Sequence, residues 1–313
     1  MSGGHGNGVV PTLTGTALVD AVPELADIAT VTAQQMAQKA SCALTFRDIW
    51  LLARRIRELR AQGMEGVIVT QGTDAIEETS FLLDCLLEVD MPVVVTGAMR
   101  NPALPGADGP ANLLAAARVA SRRQSARFGV LVVFDSQIHA ARHVLKRDSV
   151  RAGAFVSPLS GPVGRVVEDR VVLFAAPPEM KRPVLDQPPT ADIRMHVATF
   201  GERKGPVSRL CEPGCDGLVL AGMGGGHVCP DLRDEISAAA RRIPVVLASR
   251  ISGGQVMRKT YGYPGGEIDL GRLGVVSAGW LDPLKARILL GCLVTAGAGR
   301  ENLRAMFRQF DGG

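Results

Sequence analysis

In VIVTQGTDAIEETSFLL, residues 67–83, a short apolar, β-branched stretch passes through Gly-Thr-Asp into a helical pattern. The joint puts a hydroxyl and a carboxylate side by side. In open parallel sheets ligands bind at the carboxyl ends of strands, and Gly72-Thr73-Asp74 follows VIVT at such an end. A helix start there would also stabilise developing negative charge. The Thr73 hydroxyl is a weak nucleophile until a base takes its proton. A lysine whose pKa is lowered by burial, and which a carboxylate orients, can be that base. Lys146, in ARHVLKRDS beyond the strand GVLVVF, is the candidate, because its strand would end on the same side of the sheet. A plainer reading of Asp74 is also open: with Glu77 three residues on, before Phe81, Leu82 and Leu83, it fits a helix cap. A cap explains Asp74 and leaves Thr73 unexplained.

These residues need elements to position them. Apolar runs of four to six residues recur at GVIVT from 66, PVVVTG from 92, GVLVVF from 129 and VVLF from 171, with helical spacing over 45–62, 75–90 and 111–124. Strands alternating with helices imply a parallel sheet covered on both faces. A second series holds GLVLAG from 217, IPVVLAS from 243 and GVVSAG from 274, with helices near 231–242 and 283–297. Between them, residues 175–194 carry five prolines and mixed charge, as an extended connector does. The expected fold is α/β: a larger N-terminal domain, residues 1–185, with a mostly parallel sheet between helices, and a smaller C-terminal α/β domain, residues 186–313, with a parallel sheet.

Composition narrows the function. With 46% hydrophobic and 21% charged residues the chain is a folded protein, since disordered chains are poorer in apolar residues. The net charge of +4 is spread without a run of five like charges, which argues against nucleic acid as a partner. The apolar stretch 286–299 is shorter than the ~20 residues a bilayer requires, so no membrane partner is expected. The first fifteen residues lack a charged segment followed by an apolar one, which predicts a cytoplasmic protein. Six cysteines without CxxC spacing read as reduced core thiols. His139 and His143 are spaced as a metal pair on a helix but lack a third ligand, so they read as a solvated loop. GLVLAGMGGGHV would need a third glycine at 227 to bind a dinucleotide, and His227 stands there. No metal or organic cofactor is expected. Ser249 and Ser252 have no His-Asp company and read as loop residues.

VIVTQGTDAIEETSFLL, MPVVVTGAMRNP, GADGPANLLAAARVA and GVLVVFDSQIHAARHVLKRDS, in that order, strongly resemble the bacterial-type L-asparaginase/glutaminase family. FVSPLSGPVG, CDGLVLAGMGGGHV, VVLASRISGGQV and GWLDPLKARILL extend the resemblance over nearly the whole chain. It implies an amidohydrolase that converts L-asparagine to L-aspartate and ammonia through a threonine nucleophile and an acyl-enzyme, with L-glutamine as a second substrate left open. It implies that Asp74 holds the substrate amino group while Lys146 and Thr73 exchange a proton. Ser41 would hold the substrate carboxylate, Gly72 and Ala98 would line the pocket, and Glu267 would reach the amino group of a substrate bound to a neighbouring copy. A homodimer or homotetramer follows from that last role.

Two departures stand out. The family begins with a strand ending in a Gly-Gly-Thr-Ile turn, whose threonine is usually held to be acylated, and neither is present here. A sheet without that strand would show unpaired backbone groups and an open apolar groove. The expectation is therefore that Met1 is a misassigned start, with Thr12 and Thr14 as loop residues rather than replacements. Gly225 also stands where many members have a substrate-contacting Asn, so glutamine would be held less well than asparagine. Two other functions remain open: a catalytically inactive amino-acid-binding or assembly subunit, and an ammonia-supplying subunit of a tRNA amidotransferase.

Overall fold

The computed structural model describes every residue except 1, 4–8, 11–13, 89, 104 and 313, with side chains from Thr14 onward. Thr12 lies outside the described residues. The chain forms two compact units, Met1–Pro178 and Glu179–Gly313.

In the first unit two short strands, β1 (Ser2–Gly3) and β2 (Val9–Val10), pair antiparallel ahead of α1 (Gly15–Asp20). Thr14 caps α1 by accepting a hydrogen bond from the Ala17 N–H at 3.2 Å. Helix α2 (Phe46–Ala61) starts in a reciprocal capping box, where Thr45 and Asp48 satisfy each other's backbone N–H groups. The strand–helix alternation then begins: β3 (Val67–Thr70), α3 (Ile76–Leu86), β4 (Val93–Thr96), α4 (Gly109–Ala120) and β5 (Val130–Phe134). Strands β4 and β5 are buried along their whole length, as their unbroken Val/Leu runs require. Leu131, Val133 and Val94 pack with Ala116 and Val119 of α4. Strand β6 (Gln137–Ala140) turns back from β5 through Asp135 and Ser136, both at positive φ. A separate pair follows, β7 (Leu145–Lys146) with β8 (Phe155–Val156), and then β9 (Gly164–Val167) with β10 (Arg170–Leu173).

The resulting six-stranded sheet has the order β10-β9-β6-β5-β4-β3. It is mixed: β3–β4 and β4–β5 are parallel, and the remaining pairs antiparallel. In the second unit β11 (Ile193–Val197), β12 (Gly217–Gly222), β13 (Val245–Ser249) and β14 (Val276–Ser277) form a wholly parallel sheet. Its helices are α5 (Pro206–Leu210), α6 (Arg233–Arg242), α7 (Glu267–Arg272), α8 (Pro283–Thr295) and α9 (Arg300–Arg308). Both units are thus α/β.

Strand β3 is an edge, and among the described residues no strand pairs with its outer side. Val67, Ile68 and Val69 are only partly buried, in contrast to β4. Beside them lies a groove of about 1510 Å³, walled by Leu52 and Leu59 of α2 and by Leu113 and Ala117 of α4, and reaching Gly72 and Ala98.

Two sequence expectations are corrected. His139 is neither helical nor solvated: it lies in β6, 1% exposed, hydrogen-bonded through Nδ1 to Ser157 Oγ at 2.9 Å. Pairing with β5 and β9 covers β6 from Ile138 to Ala140 and buries the imidazole, at a spacing that mimics a helix face. Ser249 is no loop residue but the buried last position of β13, its hydroxyl donating to the Gly224 carbonyl at 2.7 Å.

Candidate active site

The joint after β3 is built by the chain's own turn chemistry. Gly72 is extended, and Thr73–Ala75 form a single 3₁₀ turn that leads into α3. Asp74 does not cap α3: the capping position falls on Ala75, and no side chain fills it. Both acids of the expected cap are instead directed at Lys146. Its Nζ donates to Thr73 Oγ1 at 2.9 Å and to Asp74 Oδ1 at 3.1 Å, and its backbone N–H donates to Glu77 Oε2 at 2.8 Å. Asp74 thus meets the Lys146 side chain and Glu77 its backbone, and neither turns to the N–H groups at the start of α3.

Lys146 therefore meets Thr73, as the resemblance implies, but from a different element than the sequence reading assigns. It stands on β7, in the two-stranded sheet with β8, and not on a strand of the main sheet. Its side chain is 17% exposed, whereas that of Asp74 is 67% exposed. One partner is held inside and the other faces solvent, where a ligand can reach it.

Ser41 starts a 3₁₀ turn, Ser41–Ala43, and is 4% exposed. Its Oγ accepts from the Asp74 N–H at 3.2 Å. Gly72 must be small at this point, because a Cβ there would stand 2.9 Å from Ser41 Oγ. Ala98 follows β4 in a turn held from below. Asn112 donates from Nδ2 to the Gly97 carbonyl at 3.0 Å, and Asp108 accepts from the N–H groups of Met99 and Arg100 at 3.0 and 2.9 Å. Asn112 Oδ1 also accepts from the Asp135 N–H at 3.1 Å. One buried amide thus ties the ends of β4 and β5 together. The first unit brings together Ser41, Gly72, Thr73, Asp74 and Lys146.

Glu267 belongs to the second unit, in the first turn of α7. Burial pushes its carboxyl up, but the N–H groups of Tyr261 and Thr260, each donating to Oε1 at 2.8 Å, outweigh this and hold it below the usual carboxylate range. Its other oxygen lies 3.4 Å from His227 Nε2, without hydrogen-bond geometry. The rings of Tyr261 and Tyr263 meet His227 edge-on at 4.8 and 5.6 Å.

Sequence reasoning missed Glu77 and Asn112. The signal for Glu77 was present in the acid pair Glu77-Glu78, which capping absorbed. Asn112 stood inside an apolar helix pattern, where a buried amide needs a reason.

A hydroxyl, an amine and a carboxylate in one hydrogen-bonded set, beside the backbone of a helix start, can exchange a proton and bind an amino-acid ligand. Comparison with known proteins narrows this. Residues 1–179 match the family described as Asparaginase, N-terminal, and residues 195–307 the Glutaminase/Asparaginase C-terminal domain. The chain is 40% identical over 264 residues to a Probable L-asparaginase of Deinococcus radiodurans, covering 82% of this chain and 79% of that protein. It is 31% identical over 303 residues to L-asparaginase 2 of Escherichia coli, covering 94% and 84%. The crystal structure of a Probable Cytoplasmic L-asparaginase from Campylobacter jejuni superposes with a TM-score of 0.84 at 29% identity, covering 94% of this chain and 93% of that one.

Proposed function

Since this chain belongs to the L-asparaginase/glutaminase family and is an asparaginase-type amidohydrolase, we propose that it hydrolyses L-asparagine to L-aspartate and ammonia through a threonine nucleophile and an acyl-enzyme. The observation that carries this reading is the Lys146 amine, placed 2.9 Å from Thr73 Oγ1 and 3.1 Å from Asp74 Oδ1.

In the proposed reaction Lys146, in its amine form, takes the Thr73 proton as the threonine oxygen attacks the side-chain amide carbon of asparagine. Backbone N–H groups stabilise the oxyanion. The carbon–nitrogen bond then breaks, the proton passes to the leaving nitrogen, and ammonia departs. Water hydrolyses the resulting ester to aspartate and restores the hydroxyl. Exposed Asp74 binds the substrate ammonium, and Ser41 its carboxylate. Glu267 serves the site of a neighbouring copy in a homodimer or homotetramer. Asparagine is preferred to glutamine. At Gly225 a Cβ would stand 2.6 Å from Met257 Cγ and Sδ, so Met257 fills the room that an Asn side chain would use.

The exposed Asp74 carboxylate also supports a second reading, in which the chain binds the amino acid without turning it over. Ammonia release from L-asparagine by the purified 313-residue chain, with a Thr73→Ala control, separates the two. Turnover that disappears in the control supports the first reading. A folded, aspartate-binding but silent chain supports the second.

A further inference from the structure

We propose that Glu77 is a positioning residue that fixes the general base in place, a role resting on the amidohydrolase reading above. Lys146 reaches Thr73 and Asp74 from β7, a strand only two residues long that pairs with β8 and not with the six-stranded sheet. A short outlying pair is poorly held by its own ladder, because so few backbone hydrogen bonds fix it. The bond from the Lys146 N–H to Glu77 Oε2, 2.8 Å long, links it to the body of the unit. Glu77 lies in the first turn of α3, directly after the 3₁₀ turn that carries Thr73 and Asp74. The hydroxyl, the acid and the clamp on the amine's backbone therefore lie within five consecutive residues, Thr73 to Glu77.

The consequence is geometric. Lys146 Nζ is held at the far end of a flexible stem, and the stem starts from a Cα whose own N–H is clamped. The acceptor is a carboxylate, so the bond is stronger and shorter than a neutral one. Without it the base is still present, but the Cα from which its stem starts is held only by the short β7–β8 pair. A displacement of about 1 Å between reacting groups costs on the order of 10²-fold in rate. Substrate binding through Ser41 and Asp74 involves neither Glu77 nor the Lys146 backbone.

The test uses the full chain with Glu77→Ala and Glu77→Gln, read two ways. In steady-state hydrolysis of L-asparagine, Glu77→Ala lowers kcat by about 10²-fold and leaves KM within about threefold. Glu77→Gln, whose amide oxygen accepts the same bond, keeps kcat within about tenfold of the parent. In amide hydrogen exchange followed by mass spectrometry, residues 145–147 exchange about tenfold faster in Glu77→Ala, while the β4 and β5 peptides are unchanged. Glu77→Gln restores the protection. An unchanged kcat, a KM that rises as much as kcat falls, or a Glu77→Gln protein as loose as Glu77→Ala overturns the proposal. If the parent chain is silent, exchange alone decides: loosening confined to 145–147 upholds the clamp even as the amidohydrolase reading of this chain fails. If Glu77→Ala does not fold, Glu77→Gln must keep 145–147 protected, and loss of protection there refutes it.

Discussion

Lys146→Arg separates the two things a lysine at this position does. An arginine retains the positive charge that faces Asp74 but cannot give up a proton at working pH, so it preserves ion pairing and abolishes base catalysis. The structure sets how much each part is worth. Asp74 is 67% exposed and Lys146 17% exposed, so the ion pair is screened and contributes about 0–1 kcal/mol to stability. For a unit of this size that is a shift in Tm of at most roughly 4 °C. Base catalysis by a positioned group contributes about 10²–10⁴-fold, or about 3–5 kcal/mol of barrier. Lys146→Arg and Lys146→Met should therefore both unfold near the parent temperature, and both should lose 10²–10⁴-fold in kcat for ammonia release from L-asparagine. A coupled ammonia assay run beside a thermal melt measures the two quantities on one preparation. If Lys146→Arg retains activity within tenfold of the parent, charge is what matters, and proton exchange between Lys146 and Thr73 is refuted.

Three further outcomes are expected. Arg142 and Asp84, 7% and 1% exposed, pair at 3.2 Å, so Arg142→Met removes a cation from beside a buried carboxylate, which also accepts from the Val130 N–H, and costs about 3–5 kcal/mol in urea unfolding; adding Asp84→Asn should recover more than half of the loss. Burial holds His139 down at about 4, against 6.5 when unfolded, so between these values the unfolded chain binds the extra proton and stability falls as pH drops, by about 1.4 kcal/mol per pH unit from this group. Unfolding at pH 7, 5.5 and 4.5 should show that slope, reduced by as much in His139→Gln. Gly72→Ala places a methyl group 2.9 Å from Ser41 Oγ and should raise KM for L-asparagine about tenfold with a smaller change in kcat, which a parallel rise in both would contradict.

Much of the fold was readable from local pattern. The unbroken apolar runs of β4 and β5 and the Val/Ala/Leu run of β12 and β13 announce buried parallel strands, and Thr45 with Asp48 announces the start of α2. What stayed hidden depends on pairing across the chain. Nothing local says that Lys146 leaves the main sheet for a two-stranded outlier, because two residues carry no period. The Asp74 and Glu77 pattern pointed to a cap, and only the arrival of Lys146, 72 and 69 residues away, redirects both carboxylates. His139 shows the same limit: spacing i, i+4 to His143 fits a helix face, and its buried strand is fixed by neighbours far along the chain. Family likeness named Ser41 as a substrate-binding residue, but its bond from the Asp74 N–H was not read; 33 residues separate them, and no spacing rule connects them.

The open side of β3 has a bearing on how the molecule behaves in company. Natural sheets defend their margins with lysines, prolines or bulges that discourage pairing with other chains. Val67-Ile68-Val69-Thr70 carries none of these, and leucines and alanines of α2 and α4 stand among the residues beside it. Such a margin is a template for any extended apolar segment. It also leads straight to Gly72 and Thr73. The joint that carries Thr73 therefore adjoins an edge of the sheet, so association along β3 would reach Gly72 and Thr73 before the buried centre at β4 and β5.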